Sequence, residues 1–366
     1  MIGFVKSSPN GTDKIFMGPK VRIALIGYGY WGRNLLRNLA THKFCELVGV
    51  CDSSSKRVDE AKANYPSVLG FTDVAQMLSE CHPEAVVIAT PPRGHASVAV
   101  AAIQAGCHVL IEKPMATSSE ECEQILAAAS KAEKKIMIDN TLLFYPPVQT
   151  LMDLIGKGEL GNLLYYDSVR ANLGGFQPQV NVLWDLAPHE FSILDRLMGN
   201  REPQEIVAVG NKHFGSRTES VCYLNLKYAG NFNAHLHLNW SAPVKIRRLT
   251  IAGDRRMVEL DDGILVDKLK IYDKGVKIKN NSVENFEVEY HSGGIVVPAI
   301  EQKEALGRVL DEFVSAIHEG RESVSDGLAG ARVVRMLEAA STSLKNRGRP
   351  EKVASTLSLT EHRKAS

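Results

Sequence analysis

Three groups of residues have the types and spacing to do chemistry. The first is VRIALIGYGYWG, in which an apolar, branched run from Val21 breaks into Gly27, Gly29 and Gly32 and then into a helical pattern over 34–39. A strand, a glycine turn and a helix in that order form a dinucleotide-binding fingerprint. Gly27 permits the tight turn, Gly29 lets the backbone approach a pyrophosphate, and Gly32 lets helix and strand pack closely. Tyr30 and Trp31 belong to the same turn, and the N–H groups at the helix start meet the phosphate charge. Asp52 ends the next apolar run, Glu46 to Cys51, about 20 positions past the last glycine. Its carboxylate can accept from an adenosine ribose diol, or it can simply open the turn 52–55. A 2′-phosphate would bring like charges together, so NAD is preferred. Ser53, Ser54, Lys56 and Arg57 can host a phosphate and keep NADP open.

The second group lies at the ends of two later apolar runs. Ala85–Ala89 runs into Thr90-Pro91-Pro92, with His95 close behind, and His108–Ile111 runs into Glu112-Lys113-Pro114. Continuous apolar runs are central parallel strands covered on both faces, and ligands bind at their carboxyl ends. An ammonium at such an end, here Lys113, can hydrogen-bond a substrate hydroxyl and stabilise developing oxygen charge, or can snorkel to solvent. The third group is Asn181 to Glu190, NVLWDLAPHE. Asp185 reads as the N-cap of a helix over 191–198, with Pro188 tolerated in a first turn. Asp185 and His189 are four apart and share one side of the helix start. There the positive helix end favours neutral imidazole, which suits a general base. A capping Asp beside a histidine without chemical duty has the same pattern.

The elements that must position these groups divide the chain. Residues 21–140 alternate strand and helix, ending with a helix over 118–134 and a strand over 135–139, as in a Rossmann-like α/β domain. From residue 141 the pattern changes. A prolyl crossover and a helix over 148–155 lead into period-two stretches at 163–170, 205–209, 220–228, 232–240, 247–252, 257–260 and 269–273. They predict an α+β second domain, 141–350, with a large, mostly antiparallel sheet. Residues 170–179 read as a loop over the crevice, whose Arg170, Asn172, Gln177 and Gln179 can bind hydroxyls, with Trp184 beyond it. Helices are expected over 299–319 and 327–345, a flexible extension over 1–20 and a loose tail over 351–366.

Composition bounds the partners. Over 366 residues the formal net charge is +1, which gives no footprint for nucleic acid or an anionic membrane surface. No apolar run reaches the roughly 18 residues of a spanning helix. Six cysteines without a CxxC read as reduced packing residues of a cytoplasmic protein. His235 and His237 share a strand face, but no third ligand accompanies them, so no metal is assigned.

GYGYWG, the strand-end Asp52, ATPP followed by His95, and GCHVLIEKP together resemble the Gfo/Idh/MocA oxidoreductases. The resemblance implies that the lysine of the Glu-Lys-Pro triplet, Lys113, sits beside nicotinamide and substrate, with a cis bond to Pro114. It implies that Asp185 and His189 match the family's second motif, His189 as acid/base and Asp185 as partner of a substrate hydroxyl. It also implies that the glycine turn with Tyr30 and Trp31, Asp52, Ser53, Arg57, Thr90, Pro91, Pro92, His95, Glu112 and Lys113 bind the cofactor. The expected substrate is sugar-like: a nucleotide-linked amino sugar oxidised at C3, or an inositol, polyol or free aldose. In such proteins the open second sheet commonly mediates dimers or tetramers; here the apolar face of Ala234, Leu236, Leu238 and Trp240 suits either that contact or the core.

Overall fold

A computed structural model describes residues 18–174, 176, 180–281 and 285–354. These fall into two compact units. The first takes the described chain up to Gly156 with Ser192–Gly199 and Ala299–Val334; the second takes Lys157–Phe191, Asn200–Pro298 and the chain from Arg335 on.

The first unit begins β1 (Val21–Ile26), α1 (Tyr30–Thr41), β2 (Cys45–Cys51), α2 (Ser55–Asn64), β3 (Leu69–Phe71) and α3 (Val74–Cys81). It continues β4 (Ala85–Ile88), α4 (His95–Gln104), β5 (His108–Glu112), α5 (Ser119–Ala132) and β6 (Ile136–Asp139), and α6 (Pro146–Gly156) closes this stretch. The six strands are parallel in the order β3-β2-β1-β4-β5-β6. The order reverses between β1 and β4, and a crevice opens at the carboxyl ends of strands at such a switch point. All four residues of β4 are buried, as an apolar run covered on both faces requires. Side-chain caps set two helix starts: Asp73 Oδ1 accepts from Gln76 N at 2.8 Å, and Ser118 Oγ from Glu121 N at 3.2 Å.

The second unit holds β7 (Leu163–Leu173), most of α7 (Val182–Leu197), β8 (Glu205–Asn211), β9 (Val221–Lys227), β10 (Asn233–Asn239) and β11 (Ser241–Gly253). It adds β12 (Met257–Asp261), β13 (Leu269–Asn281) and β14 (Phe286–Val296). The strands form one sheet in the order β14-β13-β12-β11-β7-β10-β9-β8, in which β7 and β10 are the parallel pair. Two further helices, α8 (Ala305–Glu319) and α9 (Gly327–Lys345), complete the described chain. Ala234, Leu236, Leu238 and Trp240 are all buried, so this apolar face is core and not a subunit contact. The opposite face carries His237, whose ring stacks on Tyr223 at 4.5 Å.

Several expected boundaries move. The expected loop over 170–179 gives way at its start, because β7 runs on to Leu173 and pairs with β11. Strand β13 continues past 273 and turns back as β14, a ribbon the period-two reading did not contain. Most of its residues face solvent on both sides, so no buried face imposes an alternation. Helix α8 starts at Ala305 rather than 299. Among the described residues no helix is long and apolar enough to cross a membrane.

Candidate active site

In the first unit the glycine turn is built by close approach. Gly27 has φ +98°, and a Cβ there would lie 2.5 Å from Ala89 O. A Cβ on Gly32 would lie 2.0 Å from Gly27 O, whereas one on Gly29 would meet open space. Helix α1 starts behind Gly29 with no side-chain cap and no acidic residue in its first turn. Its leading N–H groups are thereby left for an anion. Asp52 is buried and tied to the turn: Oδ2 accepts from Tyr28 N at 2.8 Å and Oδ1 from Ser54 N at 2.9 Å. Each carboxylate oxygen retains acceptor capacity for a ribose hydroxyl. Arg57 lies 3.5 Å from Asp52, and Ser53 is exposed beside them. Tyr30 is 85% exposed, while the Trp31 indole N–H points to Asp139 Oδ2 at 3.5 Å.

The ends of β4, β5 and β6 carry the remaining groups. The Lys113–Pro114 bond is cis. Thr90 Oγ1 and Asn140 Oδ1 are buried without a hydrogen-bond partner among the described residues, although Asn140 Nδ2 is held by Ser325 Oγ at 3.0 Å. Pro91 is exposed and Pro92 half-buried at the start of a single 3₁₀ turn. His95, expected beside the cofactor, has both ring nitrogens engaged within the protein. Its ring is fully buried, with Nδ1 2.8 Å from Pro114 O and Nε2 2.8 Å from Thr90 O. Burial lowers its pKa, and the two carbonyls oppose that shift. The ring therefore ties the turn after β4 to the turn after β5, which follows Lys113.

In the second unit the expected helix start is also corrected. Asn181, not Asp185, is the cap: its Oδ1 accepts from Trp184 N at 3.1 Å, and its Nδ2 donates to Glu219 at 2.9 Å. Helix α7 thus begins at Val182, and Pro188 falls inside it, where its ring lacks the N–H that would reach the Trp184 carbonyl. His189 is consequently beyond the first turn, and the helix dipole falls off before reaching it. Asp185 Oδ2 accepts from Trp240 Nε1 at 3.1 Å, and Trp184 Nε1 donates to Ser341 at 2.8 Å. Asp185 and His189 remain one turn apart on α7.

Behind His189, Glu190 is 2% exposed and joins Tyr166 OH to Arg170, whose Nε donates to Glu190 Oε1 at 2.8 Å. Burial first, then the Glu190 charge, pushes the Tyr166 phenol well up, so it stays a donor. Arg170 is committed to Glu190 from strand β7, and Asn172 is half-buried on the same strand. Gln177 and Gln179 lie outside the described residues. Glu190→Ala should cost about 3 kcal/mol by leaving the largely shielded Arg170 guanidinium without its carboxylate. The urea midpoint should fall at constant m; an unchanged midpoint would show that the network carries no stability.

Comparison with known proteins decides the family. Residues 21–140 match the model described as "Oxidoreductase family, NAD-binding Rossmann fold", and residues 148–259 match the GFO/IDH/MocA C-terminal domain. A solved structure from Magnetospirillum magnetotacticum, assigned as an oxidoreductase, is 30% identical with TM-score 0.74, covering 87% of this chain and 99% of that one. The chain belongs to the Gfo/Idh/MocA family. Another relative is UDP-N-acetylglucosamine 3-dehydrogenase of Acidithiobacillus ferrooxidans, 28% identical over 86% of this chain and 94% of that protein. Its crystal structure superposes with TM-score 0.75 at 25% identity, covering 90% of this chain and 99% of that one. Inositol 2-dehydrogenase of Corynebacterium glutamicum is 26% identical over 69% of this chain and 67% of that protein.

This Gfo/Idh/MocA protein is an NAD(P)-dependent oxidoreductase acting on CH–OH groups, with an NAD-binding Rossmann domain. The residues present fit the cofactor: open space at Gly29, an uncapped helix start, the strand-end acid Asp52, and buried atoms at Thr90 and Asn140 that have no partner among the described residues. Sequence reasoning missed Asp139 and Trp240, which hold Trp31 and Asp185. Asp139 had a signal, since it ends an apolar strand run just as Asp52 and Glu112 do. Trp240 had none, because its contact with Asp185 spans 55 positions.

Proposed function

We propose that the enzyme oxidises a secondary hydroxyl of a sugar-like substrate with NAD, a nucleotide-linked amino sugar at C3 being the best candidate. The observation that carries this reading is the presence of Lys113, Asp185 and His189 together, in the two motif contexts of a Gfo/Idh/MocA chain. The amino-sugar choice is supported by likeness to the UDP-N-acetylglucosamine 3-dehydrogenase along nearly its whole length.

Bound NAD supplies a hydride acceptor, and the protein supplies position and charge. His189 takes the proton of the reacting hydroxyl and passes it to solvent. Lys113 donates to the same oxygen and offsets the negative charge that builds there. Asp185, oriented by Trp240, accepts from a neighbouring hydroxyl and fixes which carbon faces the cofactor. Trp184 offers its ring to the sugar while its N–H is held by Ser341. Asp52 holds the ribose diol, and Arg57 beside it is the group that would meet a 2′-phosphate.

An inositol, polyol or free-aldose dehydrogenase is the second reading, supported by the inositol 2-dehydrogenase match. A non-catalytic dinucleotide sensor is a third, and retention of all three site residues argues against it. A panel of nucleotide sugars, inositols and aldoses, read by NADH absorbance, separates them. UDP-N-acetylglucosamine should reduce NAD; activity with free polyols or aldoses alone would select the second reading, and cofactor binding without any turnover the third.

We read the chain as a cytoplasmic homodimer or homotetramer. All six cysteines are free and buried, and burial holds Cys45 up at about 12 and Cys107 at about 11, so these thiols are inert.

A further inference from the structure

Two carboxyl groups of the first unit meet at the ends of β5 and β6. Glu112 and Asp139 are register partners on these adjacent parallel strands, so their side chains leave the sheet on one face. Asp139 is 1% exposed; its Oδ1 accepts from Thr141 Oγ1 at 2.7 Å and its Oδ2 from Trp31 Nε1 at 3.5 Å. Glu112 Oε2 accepts from Lys113 N at 3.1 Å, whereas Oε1 is buried and meets no hydrogen-bond donor among the described residues.

The charged groups acting on Glu112 are Asp139, of like sign, and Lys113, of opposite sign. His95, which α4 brings to the same end of the sheet, is turned to two backbone carbonyls. Burial first, and Asp139 second, push the Glu112 carboxyl well above its usual range, and Lys113 offsets only part of that. Two carboxylates side by side out of water cannot both stay ionised at ordinary pH.

We propose that Glu112 and Asp139 hold one proton between them and release it to solvent when a cationic nicotinamide ring binds beside Lys113, so that the pair responds to the oxidation state of the cofactor. This rests on the cofactor reading given above. The oxidised ring carries a positive charge that favours the doubly ionised pair; the reduced ring carries none, so the pair keeps its proton. Only a proton moves, from a carboxyl oxygen to water.

The test is calorimetric titration of the full chain with NAD+ and with NADH, each in phosphate and in Tris, whose different ionisation enthalpies count released protons. NAD+ should release about one proton more than NADH, and below the pair's pKa its Kd should tighten about tenfold, relative to that of NADH, for each unit the pH rises. Asp139→Asn and Glu112→Gln should each lose this difference. Glu112→Gln should also gain relative stability on the alkaline side. A carboxyl whose folded pKa is raised contributes stability at low pH and loses it as pH rises through that pKa. Equal proton counts for the two cofactors in the wild type, or an undiminished difference in both variants, would overturn the proposal. Failure of either cofactor to bind the wild type would instead remove the cofactor reading and the proposal with it.

Discussion

Lys113→Met is expected to lower kcat by about 10²–10³ while leaving NADH affinity nearly unchanged. The substitution keeps much of the side chain's length and removes the charge, so it separates electrostatics from packing. Loss of one preorganised donor to a developing oxyanion is worth about 2.7–4 kcal/mol, which sets the size of the effect. Lys113→Arg should recover little, because a planar guanidinium does not place a single donor where the ammonium does. Turnover is read by NADH absorbance and cofactor affinity by quenching of protein fluorescence. An unchanged kcat would remove Lys113 from the reaction, whereas a lost cofactor affinity would make it a binding residue instead.

His189→Ala is expected to cost about 10²–10⁴ in kcat, the range for a lost general acid–base group. Its signature is the pH profile. The wild-type limb that reports the base should disappear in the variant, and the residual rate should climb with hydroxide. A variant that keeps the wild-type limb would place the base elsewhere. Because His189 lies beyond the first turn of α7, the helix dipole does not tune it, and its reactivity depends on its immediate surroundings. Asp185→Asn should act differently: Trp240 can no longer donate to a charged acceptor, so KM should rise together with the loss of kcat.

How far each element was legible follows from where its information lies. In the first unit, strand, turn and helix are each specified by neighbours within about ten positions, and the apolar runs announce buried parallel strands. Glycine spacing and the strand-end acids Asp52 and Glu112 are therefore legible along the chain. The second unit is less legible because its sheet is half solvated. Ribbon residues 274–279 and 285–296 have no core face to impose alternation, and Lys277 and Glu289 are register partners exposed to water. Helix α7 shows the same limit on a smaller scale. Asn181 and Asp185 are both good caps by residue type. Glu219, 38 positions away, holds Asn181 in the capping pose and settles the choice, carrying Pro188 into the helix.

The sequence by itself determined the Rossmann architecture, the cofactor turn, the strand-end position of Lys113 and the one-turn spacing of Asp185 and His189. These depend on local periodicity, backbone freedom at glycine and proline, and short spacings along one element. Only the tertiary structure decided that His95 is a buried tie between two turns. It alone brought Glu112 against Asp139 and Asp185 against Trp240. Such roles are set by what a side chain meets across strands and helices, and by the water excluded there, which no window along the chain contains.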